Sequence, residues 1–361
     1  MPLYLKSIGM GALYVGILEG LADAIAGISK TYFGKLSDVT GRRLPFVWFG
    51  YGLSSLSKSA IGLFVNPFWV LLTRSSDRLG KGVRTAARDA MLSNEGTPQT
   101  KGTIFGFHRS FDTFGAFLGP LLALGYLNSH PGEYRKLFAY SLIPAVFVMV
   151  FLSFVHEKKT TEKKEENGNL FWSSMKYWKI ASPEYKRILI LIITFTLMNS
   201  SDMFLLLKAK ESGLSDVQTI SLYMFYNFIY AVSSYQIGIF SDQVGKKKIF
   251  IAGLCFFIIT YVGMAFNKRL EVFYFLFVFY GLFAAATEGV TKAWISNLCE
   301  KTDLATALGF QSTTQSLSAM MASFIAGAIW ITFGSTAMFL FSAFGTLLVV
   351  LNLLREKFNE K

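Results

Sequence analysis

Charged side chains recur within one apolar run of the sequence, at a spacing that places them on a single helical face. The series is Arg74, Asp77, Arg78, Lys81, Arg84 and Arg88, and apart from the adjacent pair Asp77 and Arg78 its members follow one another at steps of three and four residues. Such steps bring side chains to the same side of an α-helix. If the run crosses a membrane, each ionisable group costs at least about 2.5–3.5 kcal/mol, so these groups are expected to face a wet cavity or one another. The pattern favours binding of a polar solute or transfer of protons.

Other apolar runs contain carboxylates, amides and basic side chains that fit the same chemistry. With four residues of the series above, they make up the predicted substrate and proton pathway: Glu19, Asp23, Arg74, Asp77, Arg78, Lys81, His108, Arg109, Asp112, Asp202, Glu288, Gln311 and Gln315. The alternative is that basic side chains pair with neighbouring carboxylates only to make membrane insertion tolerable.

A short charged, glycine-punctuated segment occurs twice between apolar runs. The first copy contains Gly34, Asp38, Gly41, Arg42 and Arg43, and the second contains Gly238, Asp242, Gly245 and Lys246. Asp242 follows Asp38 by 204 residues, which implies two related halves. Glycine lets helix ends approach closely, and the aspartate can accept hydrogen bonds from helix N-terminal amides while it faces Arg42 or Arg43. These residues are the predicted gating motif, and an ordinary charged turn is the alternative.

The composition is that of a membrane protein. Hydrophobic residues make up 52% of the 361 residues and charged residues only 16%, with 36 Phe and a mean hydropathy of +0.43. A net charge of +12 is compatible with nucleic-acid binding, but basic residues gathered in short loops follow from the positive-inside rule. We therefore expect the chain to lie in a lipid bilayer and to have no nucleic-acid partner.

Apolar runs long enough to cross a bilayer recur along the chain. Eleven are predicted, at residues 10–33, 44–65, 68–91, 103–127, 136–155, 186–207, 216–240, 249–266, 270–298, 304–331 and 334–354. Two alternating sets of loops hold 19 and 7 Lys or Arg residues, so the set that contains both motif copies is predicted to be cytoplasmic. A charged cytoplasmic linker, residues 156–185, separates a predicted N-terminal bundle, 1–155, from a C-terminal bundle, 186–361. A short interfacial helix is predicted at residues 170–180.

The repeated motif resembles the loop motif of the major facilitator superfamily, which lies between the second and third helices and again between the eighth and ninth. The resemblance covers the whole chain and implies an all-α membrane fold of two pseudo-symmetric helical bundles. It also implies that the first copy holds the two halves together on the cytoplasmic side in the outward-open state. Arg78-x-x-Lys81-Gly82 resembles the family's fourth-helix motif, with lysine in place of glutamine.

The repeat also predicts where a helix is missing from a twelve-helix fold. Only 37 residues precede Asp38, whereas 56 residues separate the start of the sixth apolar run from Asp242. The difference of 19 residues is about one membrane crossing. We therefore expect the first helix to be absent, through a misplaced start codon or a real truncation, which leaves five helices in the first bundle and six in the second.

The resemblance implies secondary active transport of a small-molecule substrate by alternating access. Proton coupling is favoured, because no nucleotide-binding loop supplies energy and membrane-depth carboxylates can carry a proton. The alternative is a membrane sensor or scaffold that keeps the fold without transport. We expect no enzyme activity, since no catalytic or metal-ligand cluster assembles at membrane depth. We also expect no cofactor, a monomer and a multi-pass location in a bacterial inner membrane.

The charged face around Lys81 also predicts the substrate's charge. Arg74, Arg78 and Lys81 outnumber Asp77, which predicts an anionic or zwitterionic substrate. If the carboxylates of the first apolar run neutralise this face, a neutral cavity suited to a sugar, a drug or a metal complex is expected instead.

The repeat also predicts an ion pair between the halves. Aligning the two halves places Lys81 opposite Glu288, and these residues are expected to pair in one conformation and separate in another. In the alternative, Glu288 pairs with Lys292 one turn away and Lys81 pairs with Asp77.

Overall fold

The computed structural model describes residues 12–157 and 176–356, with side chains described from residue 25 onwards. The described residues form α-helices joined by short loops, together with one turn of 3₁₀-helix at Lys301–Asp303. The α-helices are α1 Ala12–Thr40, α2 Leu44–Ala60, α3 Pro67–Asn94, α4 Lys101–Ser129, α5 Tyr134–Tyr140, α6 Leu142–Ser153, α7 Tyr177–Ile180, α8 Pro183–Met198, α9 Met203–Glu211, α10 Asp216–Val244, α11 Lys246–Phe266, α12 Leu270–Asn297 and α13 Leu304–Arg355.

Within the described residues, helices cover most of each predicted apolar run. The helices α5 and α6 together make one run, and α8 and α9 together make another. The last helix, α13, continues for 52 residues through Gly334, whose φ of 86° interrupts it between the last two predicted runs. Glycine adopts this left-handed conformation without the steric cost of a side chain. The prediction of an all-α membrane fold is confirmed.

Six stretches of the described helices are long and apolar enough to cross a membrane: Lys101–Ser129, Tyr134–Ser153, Pro183–Glu211, Lys246–Phe266, Leu270–Asn297 and Lys301–Arg355. The helices α1, α3 and α10 have 28 or 29 residues. This length corresponds to about 42 Å, enough for a crossing, and these three helices carry more polar side chains. Large apolar side chains such as Phe324 and Ile331 are exposed, as expected of a surface that meets lipid.

Local sequence signals account for several helix ends. The hydroxyl of Ser182 accepts a hydrogen bond from Tyr185 N at 3.2 Å, and Pro183 occupies the first turn of α8. Ser215 and Gln218 form a capping box at the start of α10. These side chains satisfy helix N-terminal amides that have no partner within the helix.

The chain forms two compact units. Unit 1 comprises Met1–Met91, Leu121–Ala181 and Cys299–Ser316, and unit 2 comprises Leu92–Pro120, Ser182–Leu298 and Leu317–Lys361. Each unit combines segments from both sequence halves, so a contact inside one unit can join the two halves. The bundle boundaries predicted from the linker, 1–155, 156–185 and 186–361, stay a prediction.

Each unit has its own close packing. In unit 2, Phe195 of α8 packs edge-on against Phe257 of α11 and Phe283 of α12, with ring centroids 5.3 and 5.6 Å apart. In unit 1, α2 and α3 cross so closely that a Cβ on Gly50 would come within 2.6 Å of Gly80 O. Of the predicted linker helix, α7 is described, whereas residues 158–175 lie outside the described part of the chain.

Candidate functional site

The first copy of the repeated motif builds a buried hydrogen-bonded contact within unit 1. Asp38, near the end of α1, accepts hydrogen bonds at the start of α13 from Thr306 N at 2.7 Å, Thr306 Oγ1 at 2.8 Å and Ala305 N at 3.3 Å. Arg43 Nη2 donates to Asp38 Oδ1 at 3.0 Å and to Lys301 O at 3.2 Å. We call Asp38, Arg43, Lys301, Ala305 and Thr306 the first latch.

The second copy builds the equivalent contact within unit 2. Asp242, near the end of α10, accepts hydrogen bonds at the start of α4 from Thr103 N at 2.7 Å, Thr103 Oγ1 at 2.9 Å and Gly102 N at 2.9 Å. Lys246 Nζ donates to Asp242 Oδ1 and to Pro98 O, both at 3.0 Å. We call Asp242, Lys246, Pro98, Gly102 and Thr103 the second latch.

The aspartates and threonines of the two latches occupy equivalent positions in the repeat and bond through the same atoms. Thr306 follows Thr103 by 203 residues, much as Asp242 follows Asp38 by 204. In each latch one carboxylate accepts hydrogen bonds from two backbone amides, a threonine hydroxyl and a basic side chain. The second copy of the motif therefore makes the same set of contacts as the first.

Burial explains why each carboxylate needs so many partners. The side chains of Asp38 and Asp242 are 2% and 7% exposed. A buried charge is costly unless it is paired and hydrogen-bonded. The first amides of a helix lack intrahelical partners and form the positive end of the helix dipole. A carboxylate placed there satisfies both needs, and each hydrogen bond to a charged group contributes about 1.5–3 kcal/mol.

The last glycine of each motif copy ends a helix in a conformation that favours glycine. Gly41 follows α1 with a φ of 64°, and Gly245 follows α10 with a φ of 105°. A residue with a side chain is strained at such φ values. These two glycines let the chain turn from one helix into the next beside the latch.

The first glycine of each copy permits a close helix crossing. A Cβ on Gly34 would come within 2.5 Å of Ala305 O, so α1 approaches α13 backbone to backbone. A Cβ on Gly238 would collide in the same way with Gly102 O, where α10 crosses α4. The absence of a side chain at these positions lets each aspartate reach the start of its partner helix.

Arg43, and not Arg42, supplies the basic side chain of the first latch. The Arg43 side chain is 4% exposed, whereas Arg42 is exposed. Repeat alignment pairs Lys246 with Arg42, because these residues are 204 positions apart. Both arginines belong to the predicted gating motif, and of the two it is Arg43 that contacts Asp38, whereas the role of Arg42 in gating stays a prediction.

Both described ends of the predicted linker contact unit 1 beside the first latch. Glu157 accepts hydrogen bonds from Arg43 N at 2.6 Å and Leu44 N at 2.9 Å, and so caps the start of α2. The ring of Tyr177 lies 6.1 Å from that of Phe310 of α13. Burial raises the pKa of Tyr177, so its phenol stays neutral at physiological pH.

A second group of predicted site residues meets within unit 2 around Arg109 of α4. Its Nη1 donates to Asp112 Oδ2 at 2.9 Å, its Nη2 to Glu288 Oε2 of α12 at 2.5 Å and its Nε to Tyr230 OH of α10 at 2.5 Å. The guanidinium carbon lies 5.5 Å from the centre of the Tyr230 ring. We call Arg109, Asp112, Tyr230 and Glu288 the charged cluster.

A row of tyrosines connects Asp202 with the charged cluster. Asp202, between α8 and α9, accepts a hydrogen bond from Tyr280 OH at 2.6 Å. The ring of Tyr280 lies 5.0 Å from that of Tyr226, which lies 5.9 Å from that of Tyr230. Asp202 and the cluster thus share one aromatic environment in unit 2.

The charged face of α3 forms ion pairs within unit 1. Asp77 is buried and accepts hydrogen bonds from Ser54 and from Arg74 Nη1, the latter at 3.3 Å. Lys58 Nζ lies 3.7 Å from Asp77 Oδ1. Arg78 is half-buried and Lys81 is exposed. The partners of Asp77 described here, Arg74 and Lys58, differ from the predicted alternative partner, Lys81.

The remaining predicted pathway residues are placed as follows. Gln311 Nε2 donates to Gln315 Oε1 at 3.2 Å on one face of α13, and His108 is half-buried beside Arg109 on α4. The side chains of Glu19 and Asp23 lie outside those that the structure describes, so their role stays a prediction.

Glu288 has a partner that sequence analysis did not assign. It pairs with Arg109, whereas the repeat alignment indicated Lys81 and the alternative indicated Lys292. The pair of Lys81 with Glu288 stays a prediction.

Several residues of these sites were not predicted from the sequence. Thr103 and Thr306 occupy equivalent positions of the repeat, which is a signal that the alignment contains. Tyr230 and Glu157 carry no comparable signal, because their roles depend on which helices pack together.

Long apolar helices with ion pairs inside them, together with a carboxylate latch built twice, define a membrane transporter. The model of the Major Facilitator Superfamily matches residues 1–229 and 188–360. The chain belongs to the major facilitator superfamily. It is an integral membrane transporter and not an enzyme.

Relatives and solved structures agree with this assignment. The chain is 32% identical over 336 residues to an uncharacterised MFS-type transporter of Methanocaldococcus jannaschii, a match that covers 91% of this chain and 83% of the relative. It is 21% identical over 358 residues to the multi-drug resistance efflux pump PmrA of Streptococcus pneumoniae, covering 94% and 86%. The structure of the proton:xylose symporter XylE bound to 6-bromo-6-deoxy-D-glucose has the same fold, with a TM-score of 0.73 at 15% identity over 98% of this chain and 90% of that one.

Proposed function

We propose that this protein is a secondary active transporter that moves a small solute by alternating access and couples this movement to protons. Alternating access needs contacts that are made in one state and broken in another. The two latches have the required form, because each joins helix ends from opposite halves of the sequence through one buried carboxylate. We propose that both are made when the cytoplasmic side is closed.

The proposal of proton coupling rests on the charged cluster. The side chains of Asp112 and Glu288 are 50% and 51% exposed, although both lie in helices long and apolar enough to cross a membrane. Ionisable groups at that depth mark proton or substrate pathways. Protonation of Glu288 removes one of the two carboxylate charges that hold Arg109, and so weakens the link between α4 and α12. A change of this kind lets proton binding bias one conformation over another.

Several charged and titratable groups surround Glu288, among them Asp202 before α9. Arg109 and Asp112 lie on α4, Tyr230 on α10, and Lys292 lies one turn further along α12. The proton:xylose symporter of the same fold and the multi-drug efflux pump relative provide two classes of solute to test. We further propose that the protein acts as a monomer in a bacterial cell membrane.

The full chain in proteoliposomes tests this function. A pH-sensitive dye inside the vesicles would report proton movement when solutes such as xylose and ethidium are added, with and without an imposed pH gradient. We expect at least one solute to move together with protons. We expect Glu288→Gln to reduce gradient-driven accumulation at least about tenfold, while solute exchange in the absence of a gradient continues.

Glu271→Gln is the matched control, since Glu271 is an exposed carboxylate in the first turn of the same helix, α12. It should leave transport unchanged. If a broad panel of solutes produces no movement, the alternative of a sensor or scaffold replaces this proposal. If Glu288→Gln accumulates solute as well as the unaltered protein, coupling does not occur at this residue.

A further inference from the structure

We propose that the hydroxyls of Ser110 and Thr313 form an inner, uncharged closure of the cytoplasmic side, in addition to the two latches. Each hydroxyl bonds to the partner helix when this side is closed and to its own helix when this side is open. This inference rests on the proposed function, because it adds two gating residues to the alternating access of the transporter.

Both hydroxyls donate to a backbone carbonyl of the helix that carries the latch aspartate. In unit 1, Thr313 Oγ1 of α13 donates to Gly27 O of α1. In unit 2, Ser110 Oγ of α4 donates to Ala231 O of α10. Thr313 is 5% exposed, and its hydroxyl also accepts a hydrogen bond from Thr31 Oγ1 at 2.7 Å. Each inner bond therefore joins the two halves of the sequence within one compact unit.

The two inner bonds occupy equivalent positions in the repeat. Ser110 and Thr313 each follow the latch threonine of their own helix by seven residues. The acceptors, Gly27 and Ala231, each precede the latch aspartate of their own helix by eleven residues. Seven helical residues span about 10 Å, so both hydroxyls lie about two turns further along the helix than the latch threonines. The inner bond is thus a second level of contact that recurs in both units.

Glycine keeps the paired helices in contact between the latch and the inner bond. A Cβ on Gly309 would lie 2.5 Å from Lys30 O, and a Cβ on Gly106 would lie 2.5 Å from Ser234 O. These two close approaches are again equivalent in the repeat. Because the backbones meet there, a side chain as short as serine can reach a carbonyl of the other helix.

The acceptors chosen by these two hydroxyls differ from the usual ones. Serine and threonine inside a helix commonly donate to the carbonyl four residues earlier in the same helix. Thr260 and Thr314 make this bond, both at 2.9 Å. Ser110 and Thr313 donate across the interface instead. The carbonyl four residues earlier in their own helix is therefore an alternative acceptor for each of them.

A hydroxyl with one acceptor on each helix can open and close an interface without losing its hydrogen bond. When the helices part, rotation about the Cα–Cβ bond turns the hydroxyl from the partner helix to its own. An ion pair at the same depth would separate into two uncompensated charges, which is far more costly. This difference explains why the inner level uses hydroxyls, whereas the carboxylates of the latches lie near helix ends.

Labelling with a membrane-impermeant maleimide tests the inner closure. The full chain would carry a single cysteine on one side of the membrane or the other, with Cys255 and Cys299 replaced by serine. The ratio of the two labelling rates follows the ratio of the conformations that are open to each side. Thr313→Val and Ser110→Ala remove one hydroxyl each. Each should raise the cytoplasm-open proportion about two- to tenfold, as the net loss of one hydrogen bond does.

Conservative variants separate a gating role from a purely structural one. Thr313→Ser and Ser110→Thr keep the hydroxyl and should keep the labelling ratio of the unaltered protein. Thr314→Val is the matched control, because the Thr314 hydroxyl donates within α13, to Phe310 O and Gln311 O. Thermal unfolding of every variant would show that it is folded. A purely structural role predicts a lower melting temperature without a change in the labelling ratio.

Two results would overturn the inner closure. One is a labelling ratio in Thr313→Val and Ser110→Ala that equals that of the Thr314 control, and the other is an equal shift in the variants that keep the hydroxyl. A shift in these two variants but not in Asp38→Asn would support the inner closure and refute the first latch. Labelling needs no substrate, so it is independent of transport. Shifted labelling in a protein that carries no solute would refute the proposed transport and leave the inner closure standing.

Discussion

Asp38 and Asp242 each place a short carboxylate on the first amides of another helix, and the chemistry of that group explains the choice of residue. Both oxygens of each carboxylate are used, one by a backbone amide and a basic side chain and the other by a threonine's amide and hydroxyl. An asparagine in the same place would have one acceptor oxygen and no charge. The latch therefore depends on ionisation as well as on shape.

Asp38→Asn is expected to weaken the first latch while the protein stays folded. Loss of the charge-assisted contacts with Thr306 and Arg43 should destabilise the closed cytoplasmic side by about 1–3 kcal/mol. This corresponds to a change of about 5–150-fold in the ratio of the two conformations. Labelling of single cysteines placed on each side of the membrane, with Cys255 and Cys299 replaced by serine, would measure the change.

Asp216→Asn provides the control for this measurement. Asp216 lies at the start of α10, and its side chain is 83% exposed, so its charge contributes little to stability. Its replacement should leave the labelling of both sides unchanged. If Asp38→Asn labels like this control, the first latch does not hold the cytoplasmic side closed.

Helices α1 and α13 cross in unit 1 as α10 and α4 cross in unit 2, and glycine sets the separation in both crossings. The carbonyl oxygens of Ala305 and Gly102 lie too close to the places where a Cβ on Gly34 or Gly238 would be, at 2.5 Å in the case of Gly34. Backbone atoms cannot move aside as the end of a flexible side chain can. Each latch consequently needs two features of the helix that carries its aspartate, α1 or α10. One is the carboxylate itself, and the other is a glycine one turn earlier.

Gly34→Ala and Gly238→Ala are each expected to force their crossing helices apart. The added methyl group should cost about 1–3 kcal/mol, as overpacking of a tight interface does. Thermal unfolding would measure the loss of stability, and cysteine labelling would show increased access to the latch residues.

Gly119→Ala is the matched control, because Gly119 lies on α4 and a Cβ there would meet nothing within 4 Å. Alanine is also a better helix former than glycine, so this variant should be as stable as the unaltered protein or more so. Equal melting temperatures for the Gly34, Gly238 and Gly119 variants would show that the crossings tolerate a methyl group.

The molecule as a whole contains one latch design twice, and each copy joins the two sequence halves inside a different compact unit. Equivalent carboxylates, threonines and backbone carbonyls take part, although the basic residue has shifted from Lys246 in one copy to Arg43 in the other. If both latches stabilise the same conformation, their contributions to its free energy add. Two moderate contacts can then hold a state that either one alone holds weakly.

The double variant Asp38→Asn with Asp242→Asn tests this addition. We expect its shift in free energy between the two conformations to equal the sum of the single shifts within about 0.5 kcal/mol, as for independent sites. Cysteine labelling on both sides of the membrane would give the free-energy shift of each single variant and of the double variant. A double variant no different from Asp38→Asn alone would show that the second latch contributes nothing to this equilibrium.

Local properties of the sequence were enough to predict the class of protein and the latch carboxylates. Apolar runs of membrane length predicted the helices, because spanning a bilayer requires length and low polarity wherever the segment packs. The repeat predicted Asp38 and Asp242, because the glycine, aspartate and basic positions recur at one spacing. It also aligned Thr103 with Thr306, although neither threonine could be assigned a role without knowing which helix starts the aspartates face.

Only the tertiary structure decided which residues the buried charged side chains contact. Arg42 and Arg43 lie in the turn between α1 and α2, so the choice of Arg43 over Arg42 depends on how that turn is oriented. Asp38 and Thr306 are 268 residues apart, and Arg109 and Glu288 are 179 apart. Contacts over such separations depend on which helices cross and at what height along their axes. Composition and periodicity describe each helix alone, whereas a buried charge is neutralised by whichever side chain the packing brings to it.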